Sequence, residues 1–224
     1  MANRKTLPNT RLPRGRHGLP RGVIVEQQRN RLLEAVRVVA SEKGFGAMRV
    51  EDIAGEAGVS RKTFYENFRD KSDCFMASYQ AAAEELLAAA AAVASTTDDW
   101  RERARLIFAA ALRHLAERPD ATRMAIVEGM AAGPEALAQR DSASKLLREF
   151  GRPALQASPP RVPEMALEMT MGAAFQLIYS WTLNGRAEEL EELLPLIVYL
   201  SFVPHVGVVA AAAEAGIPLK EIVN

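Results

Sequence analysis

The stretch "GVSRKTFYENF", Gly58 to Phe68, decides how the rest of the chain is read. Gly58-Val59 turns the chain. Ser60 suits a helix N-cap, because its hydroxyl can accept a bond from the free N–H near Thr63. At about 100° per residue, Phe64 and Phe68 fall on one face of the helix that follows. That face can pack on Ile53, Ala54, Ala57 and Val59. Lys62 and Glu66 point the opposite way, flanked by Thr63 and Tyr65. The inner face explains itself as core. The outer face carries cations, hydroxyls and an amide at the N-terminal end of a helix, where free N–H groups and a positive partial charge suit phosphate. Two readings remain at this point. One is a solvated surface helix. The other is the second helix of a helix-turn-helix, which enters the major groove N-terminus first.

The 224 residues suffice for one large domain, or for a small one joined to one of ordinary size. Composition is globular, with 49% hydrophobic and 25% charged residues. No stretch approaches the ~18 uninterrupted apolar residues of a membrane span. The basic N-terminus lacks an apolar h-region, so a signal peptide is not expected. A lone cysteine, Cys74, excludes a disulfide framework within the chain and fits a reducing cytoplasm. The net charge of zero hides an asymmetry. Residues 1–80 carry a net +6 and residues 81–224 a net −6, and the first 22 residues hold six Arg or Lys and no acid. A basic front end suits a polyanion, though a solvated tail would carry the same charge.

Residues 1–22 are rich in Arg, Pro and Gly without apolar period, and read as a flexible basic arm. From Val23, the positions Leu32, Leu33, Val36, Val39 and Ala40 recur at helical spacing, and Gly44 lies just past the end. Val50–Ala57 makes a short second helix. After the Ser60 helix, Asp70-Lys71-Ser72-Asp73 opens a long alanine-rich one. Further helices are expected over Asp98–Arg118 with a stop before Pro119, Thr122–Ala132, Pro134–Phe150 ending at Gly151, Pro163 to about Asn184-Gly185, and Glu188 onward with interruptions at Pro195 and Pro204. No alternating β-branched run appears between turns, so the fold class is all-α.

The run "RNRLLEAVRVVASEKGFGAMRVEDIAGEAGVSRKTFYENFRDKSDCFMASY", Arg29 to Tyr79, resembles the DNA-binding domain of the tetracycline-repressor (TetR) family. The likeness rests on Gly44-Phe45, on "DIAGEAGVS", on "TFYENF" and on Lys71. It implies a homodimeric transcription factor, usually a repressor, with three parts here: the arm 1–22, a helix-turn-helix domain 23–79, and a helical ligand-binding and dimerisation domain 80–224. By the resemblance, Arg61, Lys62 and Thr63 meet base edges, while Tyr65 and Lys71 grip the phosphate backbone. The chemistry agrees. Lys62 can donate to guanine O6 or N7, and the Thr63 methyl can touch a thymine methyl. Tyr65 and Lys71 can bond phosphate, which positions the protein without specifying sequence. Arg49 stands where the family commonly has a capping threonine; it cannot cap, but it can reach phosphate. Glu51 stands where some members have a base-contacting cation. Asn67 replaces a common histidine and can still donate to phosphate. Glu66 either accepts from cytosine N4 or forms an i,i+4 pair with Lys62. In the arm, Arg14 and Arg16 either enter an adjacent minor groove or add only non-specific attraction.

The last helices resemble the family's dimer-forming pair, which would build a four-helix interface between subunits. Leu177, Trp181, Leu193, Leu196 and Leu200 are placed there, with intrachain core as the alternative for each. A small-molecule effector is implied by the resemblance. Phe108, His114, Met130, Met169, Phe175 and Gln176 are its candidate contacts, since pockets are mainly apolar with a few polar groups. No cofactor, metal or catalytic site is expected. His17, His114 and His205 are scattered, and no nucleophile elbow, P-loop or dinucleotide fingerprint occurs. The function expected is a cytoplasmic DNA-binding repressor released by a small apolar ligand. A regulator without inducer, an activator, and a helical binding protein or enzyme with a vestigial helix-turn-helix are the alternatives.

Overall fold

The computed structural model describes residues 21–157 and 165–218, and every regular element among them is helical, as the all-α reading requires. In chain order these are α1 (Arg21–Ala47), α2 (Val50–Glu56), α3 (Arg61–Asn67), α4 (Lys71–Ala94), α5 (Trp100–Ala116), α6 (Pro119–Ile126), α7 (Pro134–Ala157), α8 (Met165–Leu183), α9 (Leu194–Val206) and α10 (Val208–Ala215). Two 3₁₀ segments, Glu128–Met130 and Ala187–Leu193, lie between them. The chain divides into two compact units, and the division falls inside α4 between Ser78 and Tyr79.

The first unit is built on the apolar stripe of α1. Leu32, Ala35, Val36, Val39 and Ala40 are buried, together with Ile53, Ala54 and Ala57 from α2 and its end, Phe64 and Phe68 from α3 and its end, and Phe75 from α4. α1 breaks at Gly44, whose φ of 78° lies where glycine is favoured, and a further turn carries on to Ala47. Behind that break, the Phe45 ring meets Phe75 edge-on at 4.9 Å. Gly58 turns the chain at φ 62°, and Val59 N–H donates back to the Ala54 carbonyl at 2.9 Å. The Arg31 guanidinium donates to the carbonyls of Ala57 and Gly58, bracing that turn from α1. Arg37 is buried, and its Nε donates to Ser78 Oγ at 3.1 Å, while Ser78 Oγ donates to the Leu33 carbonyl at 2.9 Å. The lone thiol of Cys74 is pushed up to about 12 by burial, which makes it a small hydrophobe rather than a nucleophile.

In the second unit, several helix limits differ from the sequence reading. Pro119 starts α6 instead of only ending α5, since its missing N–H is an orphan in a first turn anyway. The same helix stops at Ile126, short of Ala132, and gives way to the 3₁₀ turn. Gly129 in that turn lies against the Tyr79 ring; a Cβ there would stand 2.6 Å from Tyr79 Cε2. α7 runs through Gly151 and Pro153 to Ala157. A glycine stops a helix by taking up positive φ, and Gly151 stays helical instead. Pro195 lies in the first turn of α9, Pro204 sits inside that helix near its end, and Gly207 at φ 81° separates an unforeseen α10. The core of this unit gathers Leu112, Leu115, Ala174, Leu190, Leu193 and Ile197, with a satellite of Val198, Phe202 and Ala211 under Trp100.

Phe64 is fully buried and Ser60 Oγ accepts the Thr63 N–H at 3.0 Å. Phe64→Ala is expected to cost about 3–5 kcal/mol, and Ser60→Ala about 1 kcal/mol, in urea unfolding followed by circular dichroism. Wild-type stability for Phe64→Ala would contradict the packing of α3.

Candidate nucleic-acid interface and ligand cavity

α3 is only seven residues long, so its orientation comes from its cap and its buried rings. Phe64 and Phe68, 5.9 Å apart between ring centroids, hold the inner face. Arg61, Lys62, Tyr65 and Glu66 are exposed on the outer face. The Lys62 side chain is 86% exposed, the freest reach of any group on this helix toward a partner. Thr63 is half-buried, and its Oγ1 lies 3.0 Å from Ser60 Oγ. Asn67 donates from Nδ2 to the Thr63 carbonyl at 2.8 Å, so its amide finishes the helix before it offers anything outward.

Arg61 does not extend freely. Its Nη1 lies 3.0 Å from Glu51 Oε1 of α2, and hydrogen bonding to Tyr65, then the Glu51 charge, raises its pKa. Glu51 thus holds the cation at the head of α3. Lys62 and Glu66 stand 3.9 Å apart as an exposed i,i+4 pair, a contact worth a few tenths of a kcal/mol at most. Arg49 precedes α2 and is exposed. Lacking an acceptor, it leaves capping to Asp52, whose carboxylate accepts the Arg49 backbone N–H at 2.9 Å. The same carboxylate pairs with Lys43 Nζ at 2.7 Å, which with the Arg49 bond holds its pKa below the usual range.

Lys71 opens α4, and its ammonium turns back to the end of α1. Its ammonium donates to the carbonyls of Phe45 at 2.9 Å, Gly46 at 3.1 Å and Met48 at 3.1 Å. It also sits 5.1 Å from the Phe45 ring centre. An ammonium has three donors, and all three are spent closing the carbonyl end of α1. Lys71 reaches phosphate only by giving one up. Arg14 and Arg16 lie outside the described residues.

The second unit holds a cavity of about 180 Å³. Its origin is legible in the side chains around it. Ala82, Ala83, Ala111, Ala121, Ala125 and Ala174 face it and are too short to fill it. Leu86, Phe108, Ile126, Met171, Phe175 and Ile178 supply most of the remaining wall, and Tyr79, Thr122, Arg140 and Ser144 the polar groups. Of the six candidate contacts from the sequence, Phe108 and Phe175 line it. The other four do not. Along α8 the inward positions are Met171, Ala174, Phe175 and Ile178, so Met169 and Gln176 share the outward face. His114 lies with Nδ1 3.3 Å from Arg118 Nη1, and Met130 is 44% exposed. Arg140 was missed, because the charged pattern of α7 resembles any solvated helix.

The proposed subunit contacts also divide. Leu193 is buried within the chain's own core, so it has no surface to offer. Leu177 and Trp181 are partly buried against the same core. Leu196 and Leu200 are each 39% exposed on α9, and Met165, Met169 and Leu183 are exposed on α8. Among the described residues, no three His, Cys, Asp or Glu gather as a metal site, and no helix is long and apolar enough to cross a membrane.

Residues 32–77 match the model of a family described as bacterial regulatory proteins, tetR family. No curated protein matches the chain in sequence. Among solved structures, a TetR family transcription regulator from Marinobacter aquaeolei VT8 is 26% identical with a TM-score of 0.66, covering 82% of this chain and 98% of that one. The fatty acid degradation regulator FadR from Bacillus halodurans gives 0.71 at 17% identity, covering 81% and 96%. The transcriptional regulator FadR from Bacillus subtilis, in complex with stearoyl-CoA, gives 0.68 at 16% identity, covering 80% and 98%. The likeness to the two FadR proteins is one of fold.

The position of Lys71 has a consequence independent of any ligand. Lys71→Ala leaves three carbonyls without their donor and is expected to destabilise the first unit by about 1–3 kcal/mol, measured by thermal unfolding without DNA. Unchanged stability would return Lys71 to a purely phosphate-binding role.

Proposed function

The chain carries the helix-turn-helix domain of the tetR family of bacterial regulatory proteins on the fold of that family's transcription regulators, and from this premise we propose that it is a homodimeric repressor released from DNA by a small ligand. The observation that carries this reading is the two-faced α3. Its phenylalanines fix it to the domain, while Arg61, Lys62 and Tyr65 face solvent. In this reading Lys62, Arg61 and Thr63 address base edges. Tyr65, Ser60, Arg49 and Asn67 address phosphate and set register. The basic arm with Arg14 and Arg16 adds charge at the minor groove.

Pairing of subunits is supported by the apolar outward faces of α8 and α9, where Met165, Met169, Leu196 and Leu200 are exposed. A two-fold dimer would present two α3 helices to successive major grooves of a near-palindrome. Regulation by a ligand is supported by the cavity, and by analogy of fold with a FadR bound to stearoyl-CoA. A ligand releases DNA only if it binds more tightly to a conformation with poor DNA affinity.

Fluorescence anisotropy on DNA from upstream of the chain's own gene tests the first claim. Lys62→Ala should cost about 1–3 kcal/mol on the preferred site and relax discrimination against random duplex. Equal losses on both duplexes would remove Lys62 from base reading. Sedimentation tests the second claim. Leu200→Glu should yield a helical monomer where the parent chain sediments as a dimer; a dimeric variant would move the interface elsewhere.

A further inference from the structure

We propose that the cavity takes an elongated apolar molecule bearing one anionic head group, and that Arg140 receives the head. This rests on reading the cavity as the ligand site. Among the described residues that line the cavity, Arg140 is the one of full charge. Its side chain is 32% exposed, so most of its length is out of water. Its guanidinium lies 5.4 Å from the centre of the Phe175 ring, itself part of that wall.

The partners of Arg140 leave one edge of the fork open to a better acceptor. Nε and Nη2 both point to Asp141 Oδ1, at 3.4 and 3.1 Å. Nη1 donates to the Met130 thioether at 3.1 Å. A thioether sulfur is a weak acceptor, whereas a carboxylate oxygen forms a charge-assisted bond about twice as strong as a neutral one. Met130 lies outside the cavity lining, and an anionic head that reaches Nη1 takes over that contact and leaves Asp141 in place. Asp141 is 62% exposed and pairs with Nη2 at 3.1 Å, so it offsets part of the Arg140 charge from the solvent side.

The remaining polar groups fall on the same side. Ser144 stands one helical turn after Arg140 on α7 and also lines the cavity. Tyr79 lines it from α4; burial pushes its hydroxyl pKa up, and the nearby charges of Arg140 and Asp141 act on it in opposite directions. Thr122 gives its hydroxyl to the Leu115 carbonyl at 2.7 Å. The cavity thus has a polar end at Arg140, Ser144 and Tyr79, and a hydrocarbon remainder at Leu86, Phe108 and Ile178. A neutral hydrocarbon would fill the remainder and leave Nη1 on its thioether. A small anion would use the head and leave the remainder empty.

The test is calorimetric titration of the DNA-free full-length protein with straight-chain carboxylates of eight to fourteen carbons and the matching primary alcohols, all below their aggregation concentrations. The carboxylate of the best-fitting length should bind at least about tenfold more tightly than its alcohol, the range for a hydrogen bond to a charged group. Arg140→Gln should remove that preference while leaving alcohol affinity unchanged, and Arg140→Lys should restore part of it. Met130→Leu should leave carboxylate binding as tight or tighter. If no carboxylate outbinds its alcohol, or if Arg140→Gln retains the preference, the proposal is overturned. DNA release is measured separately, by adding the same carboxylate to the protein–DNA complex. Arg140-dependent binding without release would uphold the head-group site and refute the effector role.

Discussion

Burial of two phenylalanine rings on one side of a seven-residue helix is the constraint on which the first unit depends. A helix of that length is unstable alone, because nucleation costs more than two turns of hydrogen bonds return. α3 exists because Phe64 and Phe68 are removed from water against α1 and α2, and because Ser60 supplies the missing acceptor at its start. The same burial fixes rotation. With Phe64 inward, Lys62 and Tyr65 have no direction left but outward. A surface able to read a partner is here the by-product of a packed one.

Charge in this unit divides between holding the fold and meeting a partner. Lys71 is folded into the carbonyl end of α1, and Arg31 braces the turn between α2 and α3. Lys43 and the Arg49 backbone N–H anchor Asp52 at the head of α2. Lys62 is left exposed beside Glu66, and Arg61 is aimed by Glu51. Glu66 stands beside Lys62 on the same exposed face.

The second unit follows a different logic, in which small side chains matter by what they omit. Alanines favour the helix and leave room between helices, so the sequence that makes the helices stable also leaves a cavity among them. Where the phase of α8 is known, the division of its residues follows. Met171 and Phe175 face in, and Met169 and Gln176 face out. The sequence reading placed all but Met171 in the pocket, since composition names the residue types of a pocket but leaves the phase of a long apolar helix undetermined.

Periodicity, a cap and a glycine turn were enough to determine that the chain is helical, where α2 and α3 lie, and which face of α3 is core. These are local properties, set within a few residues by sterics and hydrogen bonding. The start of α6 at Pro119 and the passage of α7 through Gly151 were not legible, because proline and glycine permit a helix or end it according to their position and φ. The carbonyl contacts of Lys71, the burial of Leu193 and the place of Arg140 in the cavity wall were decided by tertiary structure alone. Each depends on groups from distant parts of the chain meeting at hydrogen-bond or van der Waals distance, and no local pattern records which groups those are.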